Sequence, residues 1–239
     1  MRIAIIGYGK IGQLVEQIAI KRNHEICLVV DKHNIDDLKS IKNFSPDVAV
    51  EFTGPDSAFN NYLACFSSGI PVVSGSTGWL TKYDEAVDFC NKSNSGFFYA
   101  SNFSLGVNLF FELNKQLATL MHSYNDYIIS LEETHHIHKL DAPSGTAVSL
   151  LNDILKINDS YSGYSLEKIY SNNIIPVESK RIGEVPGIHK VKYESETDFI
   201  EITHSAKSRH GFAIGAVLAA EFICGKKGIF SMKDLIKLK

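Results

Sequence analysis

Along the first 105 residues, short apolar runs alternate with stretches whose apolar positions recur at helical spacing. "RIAII", "EICLVV", "DVAVEF", "IPVVS" and "GFFYASNFS" read as strands; "KIGQLVEQIA", "GPDSAFNNYLACFSSG" and "LTKYDEAVDFCNKS" read as helices. Such alternation predicts a parallel sheet covered by helices. From about Leu105 the pattern changes. "GVNLFFELNKQLATLMHSY" predicts a helix, "DYIISLEETHHIH" a strand of alternating character, and "TAVSLLNDILK" a helix with Pro143 in its first turn. "RIGEVPGIHKVKYESETDFIEITHSAKSR" predicts antiparallel strands broken by glycine turns. The closing "GFAIGAVLAAEFICGKKGIFSMKDLIKLK" reads as helical and packs back on the first domain. The expected fold is α/β: a Rossmann-type domain over 1–105 and 208–239, and an α+β domain over 106–207 with a mixed or antiparallel open sheet. The crossover near 103–106 and the return near 208–211 are the expected hinges.

The first strand runs into Gly7, Gly9 and Gly12 at G-x-G-x-x-G spacing, directly before a helix. In that context Gly7 allows a tight turn, Gly9 lets a pyrophosphate approach the backbone, and Gly12 lets helix and strand pack closely. Lys10 and Ile11 lie in the same loop, beside the free N–H groups of the helix start. Asp31, at the end of the second strand, is placed to accept hydrogen bonds from ribose hydroxyls. A 2′-phosphate would meet repulsion from Asp31 and attraction from Lys32 and Lys10, so NADH is favoured and NADPH left open. Loops at the carboxyl ends of further strands bring Phe52 and Thr53, then Gly75, Ser76, Thr77 and Gly78, then Ala100, Ser101, Asn102 and Phe103 toward the same ligand. "SGSTG" is no nucleophile elbow, since its serine is misplaced by one residue. Trp79 packs either on the cofactor loop or in the core.

The densest chemistry lies in "ETHHIHKLDAPSGTA". In an extended chain Glu133, His135 and Lys139 share parity, so His135 and Lys139 could face one site. The N–H groups of Gly145 and Thr146, with the Thr146 hydroxyl, would form an anion site at a helix start. A lysine beside an anion site points to a carboxylated or phosphorylated small molecule. A zinc site on His136 and His138, sharing a strand face, is the competing reading, but no Glu-x-x-His or cysteine partner has ligand spacing. Ser144 as a nucleophile leaves the glycine fingerprint without a role. His189 is expected to support the second sheet; His204, Arg209 and His210 lie near the domain return.

Composition narrows these options. Hydrophobic residues make up 44% and charged residues 21%, an ordinary globular balance. A net charge of −3 and the lack of a basic run give no reason to expect nucleic acid. The four cysteines form no Cys-x-x-Cys pair, which argues against a disulfide framework or zinc knuckle. No apolar run approaches a membrane span. "MRIAIIGYGKIG" enters a strand at once, so the expectation is a cytoplasmic protein with no membrane partner.

"HHIHKLDAPSGTA", "GYGKIG", "EFTGP", "GSTGW", "SNFSLGVN", "RIGEVPGIHKV", "EITHSAKSR" and "GIFSMKDLI" together resemble the dihydrodipicolinate reductase family, in that family's order and almost end to end. The resemblance implies NADH- or NADPH-dependent reduction of a cyclic dicarboxylic imine to tetrahydrodipicolinate, with water lost from the hydroxylated form, in lysine and diaminopimelate biosynthesis. It implies a homotetramer built through the substrate-domain sheets and no metal. It places an acid or proton relay at His135, a carboxylate contact at His136, a proton donor at Lys139 and a second carboxylate cradle at Gly145 and Thr146. The sequence leaves open whether His135 or Lys139 gives the proton. A non-catalytic dinucleotide-binding sensor is the alternative function.

Overall fold

The computed structural model describes residues 1–167 and 173–237. The chain divides into two compact units, Met1–Leu105 with His210–Lys239, and Gly106–Arg209.

In the first unit, β1 (Arg2–Ile6), β2 (Glu25–Val30), β3 (Val48–Glu51), β4 (Val72–Ser74) and β5 (Gly96–Tyr99) alternate with α1 (Lys10–Lys21), a 3₁₀ segment (Ile35–Phe44), α2 (Pro55–Ser67) and α3 (Tyr83–Lys92). All strand pairs are parallel, in the order β5-β4-β3-β1-β2, with a late strand, β11 (Gly228–Phe230), added outside β5. The period of two in each strand sends alternate side chains to opposite faces. Ile3, Ile5, Val48, Val50, Val73 and Phe98 pack on one face with α1 and α6 (His210–Ile223). Ala4, Ile6, Ala49, Val72 and Phe97 pack on the other with α2 and α3. Both faces are buried, which is why the strands read as continuous apolar runs. The chain moves from β2 across β1 to β3, so the direction of winding reverses beside β1. Ligands bind at such a switch point, outside the carboxyl ends of the strands.

The closing segment departs from the helical expectation. After α6 the chain forms β11 (Gly228–Phe230), parallel to β5, and the short α7 (Met232–Leu235), capped by Ser231 and Asp234. Gly225, at φ +75°, ends the helical run, and the apolar edge of β5 offers a ladder that propensity alone does not reveal. The last two residues of that expectation lie outside the described residues.

The second unit holds α4 (Leu105–Met121), β6 (Ile128–His135), α5 (Gly145–Ile157), β7 (Gly163–Ser165), β8 (Ile174–Arg181), β9 (Ile188–Glu194) and β10 (Phe199–Ser205). The sheet order is β10-β9-β6-β8-β7. β6 pairs parallel with β8 but antiparallel with β9, so of the two expected forms, mixed or antiparallel, the sheet takes the mixed one. β7 and all of β8 before Arg181 went unpredicted, because "IIPVESK" carries a proline and no clean alternation. One face is apolar: Ile129, Leu131, Ile175, Val177, Val191 and Tyr193 meet Leu150, Leu151 and Ile154 of α5. The α5 residues follow the i, i+3, i+4, i+7 stripe that buries one side of a helix. The opposite face carries Ser130, Glu132, Glu178, Lys190, Lys192 and Glu201 around a cavity of about 870 Å³.

Candidate active site

The glycine loop of the first unit has the steric form its spacing predicts. Gly7 sits at φ +95°, and a Cβ there would lie 2.1 Å from the Phe52 carbonyl oxygen. A Cβ on Gly12 would lie 2.2 Å from the Gly7 carbonyl oxygen. Gly9, the residue before α1, is different: a Cβ there meets nothing within 4 Å. The space above Gly9 is therefore open, as a dinucleotide phosphate requires.

Two cavities adjoin this loop. One, of about 300 Å³, is lined by Gly9, Lys10, Ile11, Gly12, Phe52, Thr53, Gly75, Ser76 and Thr77. The other, of about 630 Å³, runs past Gly7, Tyr8, Gly9, Asp31, Lys32, Ile35 and Thr53. The structure thus brings the glycine, Asp31–Lys32, Phe52–Thr53 and Gly75–Thr77 segments to one place. Asp31 spends one carboxylate oxygen on the His33 N–H at 2.7 Å. Gly78, at φ +82°, continues the third loop, next to Pro55. Ala100 and Phe103 are buried in the core, Phe103 against Phe52 and Phe98, so only their backbone could face a ligand. Ser101 is exposed, and Asn102 uses its side chain to hold the Ser104 N–H. Trp79 takes the core position: it is buried among Tyr62, Phe97 and Tyr99, with Nε1 donating to the Ser76 carbonyl.

Sequence reasoning missed Glu51. Its carboxylate is fully buried at the end of β3 and accepts from the Thr53 N–H at 3.0 Å, Ser74 Oγ at 2.7 Å and Ser76 Oγ at 2.9 Å, as well as from Thr53 Oγ1. One carboxyl group thereby ties the two loops that line the smaller cavity. An acidic residue closing the apolar run "DVAVE" was the available signal.

In the second unit the strand ends earlier than expected. β6 stops at His135; His136 begins a turn closed by the Lys139 N–H on the His136 carbonyl at 3.1 Å. His136, His138 and Lys139 therefore lie beyond the strand, and neither the shared His135–Lys139 face nor the His136–His138 strand face exists. The reason is the pairing: His135 and Arg181 form the last paired position of β6 and β8, and the ladder runs out there. Arg181, also missed, holds the turn instead. Its Nε donates to the Lys139 carbonyl at 3.2 Å and one terminal nitrogen to the Asp141 carbonyl at 2.7 Å. Lys139 Nζ lies 2.8 and 2.9 Å from the two oxygens of Asp141, and this ammonium holds the Asp141 carboxyl below its ordinary range.

Pro143 precedes the helix rather than entering it. Ser144 is the N-cap of α5, its Oγ accepting from the Ala147 N–H at 3.2 Å. Gly145 and Thr146 occupy the first turn, where a helix offers no carbonyl to their N–H groups. Ser144 Oγ also lies 3.0 Å from His189 Nε2, and the His189 ring packs 5.0 Å from that of His135. Burial lowers His135 below the usual imidazole range, Glu133 opposing, so its resting form at neutral pH is uncharged. Glu133, His135 and His189 each offer a ligand atom within 4.8 Å of the others' and are the only described group with metal-holding spacing. The His204 ring packs at a tilt against Phe110, 5.9 Å between centroids.

Burial, with His135 adding to it, pushes His189 down to about 4. The unfolded imidazole takes up a proton as pH falls through about 6.5, while the folded one stays neutral until about 4. The unfolded state thus binds more protons in that window, and the fold loses stability as pH falls across it. A depression of that size is worth on the order of 3 kcal/mol. Urea unfolding at pH 7.5, 5.5 and 4.5 should show the loss in the wild type and a shallower one in His189→Gln; equal pH slopes would refute the assignment.

A parallel, glycine-looped sheet with a ligand cavity at its switch point defines an oxidoreductase of the dinucleotide-binding class. Comparison with known proteins makes this specific. The family description "Dihydrodipicolinate reductase, N-terminus" matches residues 1–103, and "Dihydrodipicolinate reductase, C-terminus" matches residues 106–236. The chain belongs to the dihydrodipicolinate reductase family. It is 50% identical over 238 residues to the 4-hydroxy-tetrahydrodipicolinate reductase of Christiangramia forsetii, covering 99% of this chain and 98% of the relative. The enzyme of that name from Thermosipho africanus is 32% identical, with 99% and 98% covered. A solved structure, the dipicolinate-bound dihydrodipicolinate reductase from Paenisporosarcina sp. TG-14, shares the fold at TM-score 0.76 and 24% identity, with 97% of each chain covered. Among the described residues no helix is long and apolar enough to cross a membrane.

Proposed function

We propose that this protein reduces 4-hydroxy-tetrahydrodipicolinate to tetrahydrodipicolinate with a pyridine dinucleotide, as a cytoplasmic homotetramer in lysine and diaminopimelate biosynthesis. The observation that carries this reading is the second unit's pair of donor sets: Lys139 and the histidines at one strand end, the Gly145–Thr146 turn at a helix start. Two separated donor sets suit a ring bearing two carboxylates.

The first unit is the dinucleotide domain, with Gly7, Gly9, Lys10, Ile11 and Gly12 beneath the pyrophosphate and Asp31 at the adenosine ribose. Phe52, Thr53, Gly75, Ser76, Thr77, Gly78 and the Ala100–Phe103 backbone serve the nicotinamide half. When bound, the reduced dinucleotide supplies the hydride. His136 and the Gly145 and Thr146 N–H groups hold the carboxylates. Lys139 gives the proton that the reduced ring requires, because it is the charged donor of the cluster while His135 rests neutral. His135 orients that exchange and passes protons. No metal is assigned, since the carboxylate of the Glu133–His135–His189 set is already answered by Arg181 and the Ser144 N–H. The open charged face of the second sheet supports assembly through that sheet. The four free cysteines suit a reducing compartment.

Oxidation of NADH and NADPH, with substrate generated in situ by the preceding synthase from pyruvate and aspartate semialdehyde, tests the reading. Turnover is expected with both nucleotides and faster with NADH. Asp31→Ser should shift the ratio of kcat/KM toward NADPH by about tenfold, by removing the charge opposed to a 2′-phosphate. Tight nucleotide binding without turnover would instead leave a sensor.

A further inference from the structure

Glu133 is fully buried on β6, two residues before His135, and the reaction as described does not use it. Both carboxylate oxygens accept from the Ser144 N–H at 3.1 Å, across eleven residues of chain. Ser179 Oγ donates to it at 2.8 Å, and an Arg181 nitrogen lies 3.4 Å away. His135 Nδ1 and His189 Nε2 lie at 3.6 and 3.7 Å, the former with no hydrogen-bond partner among the described residues. Burial works to raise the Glu133 carboxyl, but the Ser144 and Ser179 hydrogen bonds outweigh it and keep the group anionic. A metal bound by these three residues would have to displace the guanidinium and the Ser144 N–H.

We propose that Glu133 is a positioning residue: its carboxylate fixes the Ser144 turn, and with it the Gly145 and Thr146 N–H groups, in register with His135. The inference rests on the functional reading above. The Lys139–Pro143 segment between the strand end and the helix start is a turn and loop, so side chains tie the two together: Glu133 on the Ser144 N–H, beside His189 on the Ser144 hydroxyl. The carboxylate also sets the electrostatics of His135. The groups facing that ring are Glu133 on its own strand, Arg181 on β8, His189 on β9, and Lys139 and Asp141 in the following loop. Glu133 and Asp141 favour the imidazolium; burial, Lys139 and Arg181 oppose it.

Glu133→Gln in the full chain is the test, with pyridine-2,6-dicarboxylate as the probe in calorimetry and His135 followed by NMR titration. The expected result is dicarboxylate affinity and substrate KM worse by about tenfold or more, with NADH affinity unchanged. The His135 titration should move to lower pH, a change that a merely structural role would not produce. Glu133→Asp, which keeps the charge, should restore that titration. Ser179→Ala removes one donor to the same carboxylate and should weaken dicarboxylate binding about threefold, so the idea remains open to refutation if Glu133→Gln fails to fold. Wild type binding no dicarboxylate would overturn the functional reading and this inference together. A folded Glu133→Gln with wild-type affinity and an unmoved His135 titration, or a Ser179→Ala with unchanged affinity, would overturn the inference alone.

Discussion

Lys139→Met lowers kcat by about a hundredfold or more while dinucleotide affinity stays at the wild-type value. A ring that has accepted hydride must be protonated, and a misplaced or absent acid is felt almost entirely in that step. Lys139 is preorganised for the task. Arg181 fixes its backbone carbonyl, the His136 carbonyl accepts its N–H, and Asp141 orients its ammonium. His135 is lowered by burial and carries no proton to spare at neutral pH. The same assay on His135→Gln should therefore show a smaller loss than Lys139→Met. The reverse order, with His135→Gln the more damaged, would move the acid to the histidine and leave Lys139 as a carboxylate contact.

The second large effect separates two glycines of one loop. Gly12→Ala places a methyl 2.2 Å from the Gly7 carbonyl, so α1 or the loop must move. The expected outcome is about 1–3 kcal/mol of lost stability, a melting temperature roughly 3–10 °C lower, and weaker NADH binding as a consequence. Gly9→Ala has no such clash, because its Cβ enters open space, and its extended backbone (φ −78°) suits alanine. That variant should melt within about 3 °C of wild type, since alanine caps less well than glycine but restricts the unfolded chain, yet bind NADH about tenfold less tightly or worse. Thermal melts beside nucleotide titrations read both. Normal NADH affinity in Gly9→Ala would place the pyrophosphate elsewhere.

The sensor reading, the zinc reading and the serine nucleophile all treated the histidine-rich segment or the glycine loop in isolation. Family membership across residues 1–103 and 106–236 joins them in one reductase. The geometry still corrected how the pieces are held. A strand predicted through His138 stops at His135, a terminal helix yields β11, and Pro143 gives the capping role to Ser144. Two of these arise from partners distant in sequence, Arg181 for the strand end and β5 for β11; the third is local, with Ser144 Oγ taking the Ala147 N–H.

What the chain alone determined is whatever depends on neighbours within a few residues or on strict periodicity. Apolar runs on both faces dictated a covered parallel sheet, and three glycines at fixed spacing dictated a tight turn into a closely packed helix. The clustered His135, His136, Lys139, Gly145 and Thr146 marked the segment in which the proposed chemistry is placed. Tertiary structure alone decided which buried charges organise those loops. Glu51 and Glu133 look like ordinary strand carboxylates in sequence. Only the folded chain shows that each is shut away from water and must be answered by several donors, among them Ser74 and Ser76 for one and Ser144, Ser179 and Arg181 for the other. A buried anion costs too much to leave unpaired, so it gathers its partners from wherever the fold brings them.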